Sequence, residues 1–368
     1  MKPLAIGLDI GTTTVRLLQL GGSQRDLRVV DAAKFAIPQE VKGDPKRRRE
    51  ALVENIRRML REHRFRSREV IMALSAGEMA VRNVRLPKMP AEELATAVNW
   101  EAQNKFPFDT ATAVVQYLRA GEVRQGDQVL DEVILFAAPR AEVDAQIQLA
   151  CESGLDLVSL DAEPCAVFRG FERFLRRRED ETAVSVFVDI GAETIVVISR
   201  GRDVVFVKTI PIGGAVFNRG VAECLELSPT EAEALRRRLD RRGRKEQAPG
   251  EDGQRVSRAV ADAMRPHLED LANEIALCLR YYAVTFRGVR PERITFTGGE
   301  SHNADIPAAL GERLGVEAAS GDPLRGVKTD HLGPVLDRRS PLSEWTTAFG
   351  LSMKGFYLTE ELPAGYAA

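Results

Sequence analysis

The chain has 368 residues, 44% of them hydrophobic, which is enough apolar material for at least two domains with cores of their own. Its 52 lysines and arginines against 54 aspartates and glutamates give a net charge of −2, which argues against a general nucleic-acid binder, since such domains are strongly basic. No apolar stretch approaches the roughly 20 residues of a membrane-spanning helix and no secretory signal precedes the first strand, so we expect a cytoplasmic protein.

The first 76 residues are predicted to form a β-β-β-α-β unit. Apolar runs predict a β-hairpin over 4–20, a third strand over 27–37 and a further strand over 69–75. Residues 46–65 place apolar side chains on one face and arginines and glutamates on the other, which predicts an amphipathic helix.

Residues 77–153 differ from the first 76 residues in sequence pattern and are predicted to form an inserted subdomain. Its predicted elements are a strand at 82–87, a helix at 91–105, strands at 112–119 and 128–138, and a helix at 140–153. The first of these helices ends before Pro107, because proline cannot continue a helix. A strand at 155–160 and a helix at 162–176 follow.

From about residue 182 the opening pattern begins again. The predicted strands are 184–190, 194–199, 203–210 and 293–296, and the predicted helices are 215–225, one beginning at Ser228-Pro229, 255–285, 304–314 and 343–354. Residues 240–254 are polar and are predicted to form a loop. Three strands opening each part of the chain indicate an internal duplication.

A short motif occurs once in each part. Residues 8–15 read Leu-Asp-Ile-Gly-Thr-Thr-Thr-Val, and residues 188–195 read Val-Asp-Ile-Gly-Ala-Glu-Thr-Ile. Each motif predicts a strand, a tight turn and a second strand, and backbone N–H groups in such a turn can cradle phosphate oxygens. The repeat predicts a duplicated ribonuclease-H-like α/β fold, that of the actin-like ATPases, with a subdomain inserted in the first half. A ligand of such a fold binds in the cleft between the halves.

We therefore expect four structural units. They are a first actin-like subdomain at 1–76 and 154–180, the inserted subdomain at 77–153, a second actin-like subdomain at 181–225 and 290–368, and a helical subdomain at 226–289.

The paired motifs predict a nucleotide site. A carboxylate just before each turn can hold a hydrated Mg²⁺ beside the phosphates, which assigns Asp9 and Asp189 to the metal. Thr297-Gly298-Gly299 follows a strand and lets adenine and ribose approach the backbone. The predicted nucleotide contacts are Asp9, Gly11, Thr12, Thr13, Thr14, Asp189, Gly191, Thr194, Gly213, Gly214, Gly298 and Gly299.

The second turn differs from the first in a way that bears on turnover. Ala192 and Glu193 stand where the first turn has threonines, and a carboxylate there repels a γ-phosphate. We therefore expect nucleotide binding with, at most, slow ATP hydrolysis. Glu163 resembles the acidic residue that orients water in bacterial actins, and the alternative is an ordinary exposed glutamate at the start of a helix.

Two further segments carry a family resemblance. The residues that carry the resemblance are Leu86-Pro87, Trp100-Glu101, Phe106-Pro107-Phe108-Asp109 and the segment 345–355. The chain resembles the PilM family of type IV pilus assembly ATPases over essentially its whole length. The resemblance implies binding of ATP with Mg²⁺ and docking of the short N-terminal cytoplasmic tail of an inner-membrane PilN-type protein. It also implies contact with the pilus assembly platform, possible contact with its motor ATPases, and membrane association through partners only.

In that family the tail lies in a groove between the first half and the inserted subdomain. The residues expected to contact it are Leu86, Pro87, Phe106, Pro107 and Phe108. An aromatic corner beside a short strand suits an extended peptide. The alternative is that Trp100, Phe106 and Phe108 pack the insert onto the first half. For Trp100 we expect this second role, packing of the insert onto the first half.

Two other functions share the fold. An FtsA-like, filament-forming division protein usually carries a C-terminal amphipathic membrane helix, which residues 360–368 cannot form. A small-molecule kinase needs a catalytic base and polar substrate ligands, and no convincing set is present. The basic run from Arg236 to Lys245 is predicted to be a solvated helix end, with anionic lipid or an acidic partner as the alternative.

Overall fold

The computed structural model describes residues 3–243, 251–288, 291, 293–329, 332, 335–336 and 341–358, without the side chains of 241–243 and 251–252. The strands are β1 Pro3–Ile10, β2 Thr14–Ser23, β3 Asp26–Ala36, β4 Glu69–Leu74, β5 Ala80–Pro87, β6 Ala113–Gln125, β7 Gln128–Pro139, β8 Asp156–Ala162, β9 Val184–Ile190, β10 Thr194–Arg200, β11 Asp203–Ile210, β12 Arg293–Thr297 and β13 Glu317–Ser320. The helices are α1 Pro45–Glu62, α2 Ala91–Lys105, α3 Arg140–Ser153, α4 Glu163–Glu172, α5 Gly214–Leu225, α6 Pro229–Gly243, α7 Glu251–Phe286, α8 Asp305–Leu314 and α9 Thr346–Lys354.

Two five-stranded sheets repeat one arrangement. Their strand orders are β3-β2-β1-β4-β8 and β11-β10-β9-β12-β13. In each sheet an antiparallel three-stranded meander is followed by two parallel strands, so that β1 pairs with β4 as β9 pairs with β12. This correspondence confirms the duplicated fold. The carboxyl ends of β1 and β9, where the two Asp-Ile-Gly motifs lie, are therefore equivalent positions of the two halves.

The last helix, α9, lies inside the first half. It packs against β1 and α4, and eight of its nine residues are buried. Glycine is required at the closest approaches: a Cβ at Gly7 would lie 2.0 Å from the Ala348 carbonyl oxygen, and one at Gly350 would lie 1.8 Å from that of Ala166. Backbone packing this tight fixes β1, and hence the first turn, relative to α4.

The inserted subdomain is a three-stranded antiparallel sheet, β5-β7-β6, covered by α2. The sheet also reaches the second half. The Asn83 side chain on β5 donates to the Val207 carbonyl of β11 at 3.0 Å, and Arg85 donates to Thr285 of α7 at 3.0 Å. The insert is thus joined to both halves of the molecule.

Most predicted elements are confirmed. The helix α4 ends at Glu172, before the predicted 176, and α7 begins at Glu251 within the predicted loop. The strand β13 was not predicted, because its sequence, Glu-Ala-Ala-Ser, lacks the branched and aromatic residues typical of strands. The predictions for Arg244, Lys245 and the tail 360–368 lie outside the described residues. Among the described helices, none has both the length and the apolarity to cross a bilayer.

Candidate functional site

Both Asp-Ile-Gly turns line one large cleft between the halves. Its volume is about 1060 Å³, at the upper end of the range for small-molecule pockets. Ten of the twelve predicted nucleotide contacts line it; the exceptions are Thr194 and Gly213. The structure therefore brings the predicted residues of the two halves together around a space large enough for a nucleotide.

The two turns differ in length. In the first, Ile10 pairs with Val15 and four residues lie between them, whereas in the second, Ile190 pairs directly with Thr194 and three residues lie between them. The Gly11 amide donates to the Thr14 carbonyl at 3.1 Å, and the Gly191 amide donates to the Glu193 carbonyl at 2.9 Å. The second turn is thus one residue tighter, a difference that alignment of the two motifs by letter does not reveal.

This difference corrects the prediction for Thr194. It occupies the strand position of Val15, is fully buried, and donates its hydroxyl to the Ile212 carbonyl at 2.6 Å. Gly213 likewise lies behind the turn, where a Cβ would be 2.7 Å from the Ala192 carbonyl oxygen. Both residues support the second turn from behind and do not line the cleft.

Arg16 links the carboxylate of Asp9, in the first motif, to Glu344 in the segment before α9. It lies opposite Asp9 on the neighbouring strand and contacts Asp9 at 3.3 Å and Glu344 at 2.9 Å. Sequence reasoning missed it, although a charged residue in the otherwise apolar strand that follows the first turn was a visible signal.

Asp9 and Asp189 form the electrostatic centre of the cleft. Burial raises the pKa of Asp9, and the Arg16 guanidinium opposes that shift. Burial and the neighbouring charge of Asp9 raise the pKa of Asp189 to about 7. Both carboxylates are desolvated and they repel each other, which makes their charged forms unfavourable. A bound cation would offset this repulsion and favour the charged forms.

The donor set fits a hydrated magnesium ion. Among the described residues, no group of three or more histidine, cysteine or acidic side chains is placed to hold a metal directly. Mg²⁺ commonly keeps several waters and binds through one or two carboxylates together with phosphate oxygens. Asp9 and Asp189 would therefore hold it mainly through water, as the sequence predicts.

Glu163 also lines the cleft, at the start of α4. Burial raises its pKa well above the ordinary value, and the charges of Asp189 and Asp9 raise it further, while a hydrogen bond from the backbone of Ala76 opposes the shift. It is therefore not an ordinary exposed helix-start residue. Its position near both metal-assigned carboxylates is compatible with orienting a water molecule.

The glycines of the second half allow a close approach of the backbone. Gly298 has a φ of 89°, and a Cβ there would lie 2.6 Å from the Ile190 carbonyl oxygen, so other residues would be strained. Gly299 lines the same wall. At Gly214 the helix α5 begins, and its amide donates to the Gly191 carbonyl at 2.8 Å. The amino end of this helix adds a positive dipole end beside the second turn.

The helix α6 contributes charged residues to the cleft, and one of them, Arg236, was predicted to be solvated. Arg236 is only 6% exposed, lines the cleft, and bonds to Glu300 and to Asn218, which corrects its prediction as part of a solvated helix end. One turn earlier, Glu233 accepts from Gln39 at 2.9 Å and from Lys42 at 3.2 Å. These last contacts cross from the second half to the first. The run of arginines that begins at Arg236 gives no signal in the sequence that one of them is buried.

The structure separates the residues predicted to contact a partner. Leu86 and Pro87 lie at one end of the inserted sheet, where they pair with residues near the start of β7. Phe106 comes shortly before β6, and the first residue of β6 pairs with the last residue of β7, at the other end of the sheet. Leu86 and Phe106 are buried in the core of the insert, so the prediction that they form a contact surface is wrong.

Three of the five residues predicted to contact the partner remain accessible. Pro87 and Pro107 are exposed, and Phe108 is half-buried and stacked on Phe106 with ring centroids 5.7 Å apart. Trp100 is 65% exposed on α2, so the prediction that it packs the insert onto the first half is wrong. It follows the buried Val98 by two positions, and this spacing puts it on the opposite side of the helix.

The duplicated sheets, the paired turns and the cleft between them define an actin-like ATPase fold. The solved structure of EutJ, an ethanolamine utilization protein from Carboxydothermus hydrogenoformans, shares this fold with a TM-score of 0.55 and 14% identity over 96% of this chain and 90% of that one. The sequence pattern of the type IV pilus assembly protein PilM matches residues 7–356, and the chain belongs to that family.

A solved PilM-PilN type IV pilus biogenesis complex is much more similar. Its TM-score is 0.76, with 26% identity over 95% of this chain and 98% of that one. No curated protein matches the chain significantly. The family match supports neither the FtsA-like division protein nor the kinase.

Proposed function

We propose that this protein is an ATP-binding adaptor of type IV pilus assembly that docks the N-terminal cytoplasmic tail of a PilN-type inner-membrane protein. The observation that carries the proposal is the similarity to the solved PilM-PilN complex over 95% of this chain. The protein would act on the cytoplasmic side of the inner membrane, held there by its partners. Contacts with the rest of the assembly platform or with motor ATPases belong to the same proposal.

The cleft supports the nucleotide part of the proposal. The first turn offers backbone amides and the Thr12, Thr13 and Thr14 hydroxyls to phosphate oxygens, and the amino end of α5 adds a positive dipole end. A Cβ at Gly299 would meet no atom within 4 Å, so the opposite wall has open space at this position for adenosine. Magnesium, when bound, would neutralise phosphate charge, and Asp9 and Asp189 would position its water shell.

A nucleotide that contacts both walls favours closure, because its affinity for the closed state is higher. The insert is joined to the second half through Asn83 and Arg85. Movement between the halves would therefore reach the insert, which gives nucleotide binding a route to the docking surface. In this proposal the four sequence-predicted units keep their boundaries, with 77–153 as the docking unit.

The aromatic corner of the insert supports the peptide part. Pro107 and Phe108 lie shortly before β6, which begins at Ala113. Ala113 pairs with Pro139, the residue immediately before α3, so this corner lies at the end of the inserted sheet from which the chain returns toward the first half. An accessible proline beside a partly exposed ring is suited to an extended apolar peptide. We place the tail at this corner, in the junction between the insert and the first half.

The test is calorimetric titration of the protein with a synthetic peptide of the partner's N-terminal tail. Phe108→Ala should weaken binding by about tenfold or more, as expected for an aromatic anchor. Val284→Ala is the matched control, since it truncates an apolar side chain that is 75% exposed on α7 of the second half. Equal thermal unfolding of the two variants would exclude misfolding. Absence of peptide binding at millimolar concentration would contradict the docking function.

A further inference from the structure

The segment from Lys46 to Glu69 carries an unusual charge. It contains ten lysines and arginines against four glutamates, a net charge of +6 in a chain whose total is −2. Lys46, Arg47, Arg48 and Arg49 occupy the first turn of α1, which contains no acidic residue. Cations at the amino end of a helix oppose its dipole, so helix stability does not account for this run.

Six arginines of this segment are exposed, against the three exposed glutamates Glu54, Glu62 and Glu69 between Glu54 and Glu69, and we call these six arginines the arginine face. They are Arg57, Arg58, Arg61, Arg64, Arg66 and Arg68. The first three lie on the solvent side of α1, whose other side buries Leu52, Ile56 and Met59. Within the described chain, none of the six is paired with a carboxylate at ion-pair distance. Arg57 lies near enough to Glu152 to help lower the pKa of that carboxyl, and the charges of the other five are available to an external anion.

The part of the arginine face that follows α1 is held in place by buried polar groups. The backbone amide of Arg64 donates to Asp31, and that of Arg66 donates to the Gln19 side chain at 2.8 Å. Asp31 is 5% exposed and Gln19 is fully buried. Burying such polar side chains is costly unless they are bonded, so two of them are committed to fixing this short extended segment.

The fixed backbone produces an alternating pattern. Arg64, Arg66 and Arg68 are exposed, whereas Phe65 between them is partly buried and packs against the core of the first half. Alternation is what an extended segment imposes on its side chains. The three arginines are consequently held outward by a secured backbone, in contrast to charges on a loose loop.

We infer that the arginine face binds the anionic headgroups of a phospholipid bilayer. The arginines are spread along a helix and an extended segment, a distribution suited to an extended anionic surface more than to a single small anion. Arginine pairs with phosphate in a bidentate manner, and each basic residue near an anionic membrane strengthens binding by about fivefold. The choice of a bilayer over an acidic protein rests on the proposed inner-membrane partner, since a protein docked on a short membrane-proximal tail lies beside the bilayer.

Vesicle flotation of the unmodified protein tests this without any partner present. We expect binding to vesicles of phosphatidylglycerol and phosphatidylcholine, no binding to pure phosphatidylcholine, and weakening as salt rises. The triple variant R58E/R61E/R66E should lose at least about a hundredfold in vesicle affinity. The control R255E/R258E/R280E makes the same charge change at exposed positions of α7 and should bind much more tightly than the first variant.

The outcomes separate the alternatives. Absence of vesicle binding by the unmodified protein, or equal loss in both triple variants, would overturn the inference. Binding to polyglutamate that needs the arginine face, without binding to vesicles, would overturn it in favour of an acidic protein partner. Thermal unfolding verifies that both variants fold. Because the tail peptide is tested separately by calorimetry, vesicle binding without peptide binding would reject the docking function and leave the lipid surface standing.

Discussion

Arg16 and Glu344 form an ion pair at 2.9 Å that joins the first hairpin to the segment preceding α9. The same guanidinium contacts Asp9 at 3.3 Å, and Lys34 contacts Glu344 at 2.8 Å. Residues more than 300 positions apart therefore hold the carboxylate of the first motif in place. A buried network of this kind orients a site when all its members are present.

This network predicts a pH-dependent contribution to stability. Burial opposes ionisation of Glu344, but Arg16 and Lys34 outweigh it and lower its pKa to about 2. Since this lies below the ordinary value of 4.5, the carboxylate stabilises the fold above pH 4.5, and the contribution is lost as the pH falls toward 2. Glu344→Gln should lower the free energy of unfolding at pH 7 by roughly 1–3 kcal/mol, and the difference from the unmodified protein should shrink toward pH 3.

Denaturant unfolding at a series of pH values measures this effect. Glu312→Gln, at an exposed position of α8, is the control and should unfold like the unmodified protein. A difference for Glu344→Gln that stays constant from pH 7 to pH 3 would refute the assignment.

The carboxylate of the first motif should govern the magnesium dependence of nucleotide binding. Asp9→Asn keeps the shape of the side chain and removes its charge, so the gain in ATP affinity that magnesium provides should fall by at least about tenfold. Titration of a fluorescent ATP analogue with magnesium and with EDTA measures the gain. Asp144→Asn, exposed on α3, is the matched control. An unchanged magnesium effect in Asp9→Asn would remove Asp9 from the metal site.

Slow turnover is expected, because Glu193 in the second turn brings a carboxylate toward the phosphates. Steady-state hydrolysis should lie well below the roughly 1–100 per second of kinases. Glu163→Gln should reduce the remaining rate about tenfold or more and leave ATP affinity within about twofold, as expected for a group that orients water. Phosphate-release assays and equilibrium binding measure the two quantities. A parallel loss of rate and affinity would indicate a binding role for Glu163.

Glu233 should slow nucleotide exchange. It reaches across the cleft to Gln39 and Lys42, so these contacts must open if the halves separate. Glu233→Gln keeps the size of the side chain and weakens the contact with Lys42, and release of a fluorescent ADP analogue should become several-fold faster in stopped-flow measurements. Glu223→Gln, exposed on α5, controls for charge. Equal release rates in both variants would show that the contact does not limit exchange.

Much of the fold could be predicted because local pattern and global fold agree. Alternating apolar runs predicted both hairpins, and the two Asp-Ile-Gly motifs predicted the duplication and most of the cleft wall. The prediction that Thr194 contacts the nucleotide failed because the second turn is one residue shorter than the first. Aligning the two motifs by residue type does not reveal the register of the strand that follows each turn.

Long-range contacts were the other limit. Arg236 resembles its solvent-exposed neighbours in sequence, and only the packing of α6 against α5 reveals its burial among Asn218 and Glu300. Trp100 shows the opposite error. Large aromatic rings usually pack in cores, yet the two positions that separate it from Val98 turn it away from the sheet.

The position of α9 affects how the polypeptide matures during translation. Residues 346–354 pack against β1 and α4, so one face of the first hairpin lacks its packing partner until residues 346–354 have been synthesised. Domains generally fold as units during synthesis, the amino-terminal one first. Here the amino-terminal half waits for α9: in a nascent chain interrupted before residue 346, Ile6 and Leu8 can still pack on one face of β1, but the face that carries Ala5 stays uncovered and the first Asp-Ile-Gly turn is not fixed in its final position.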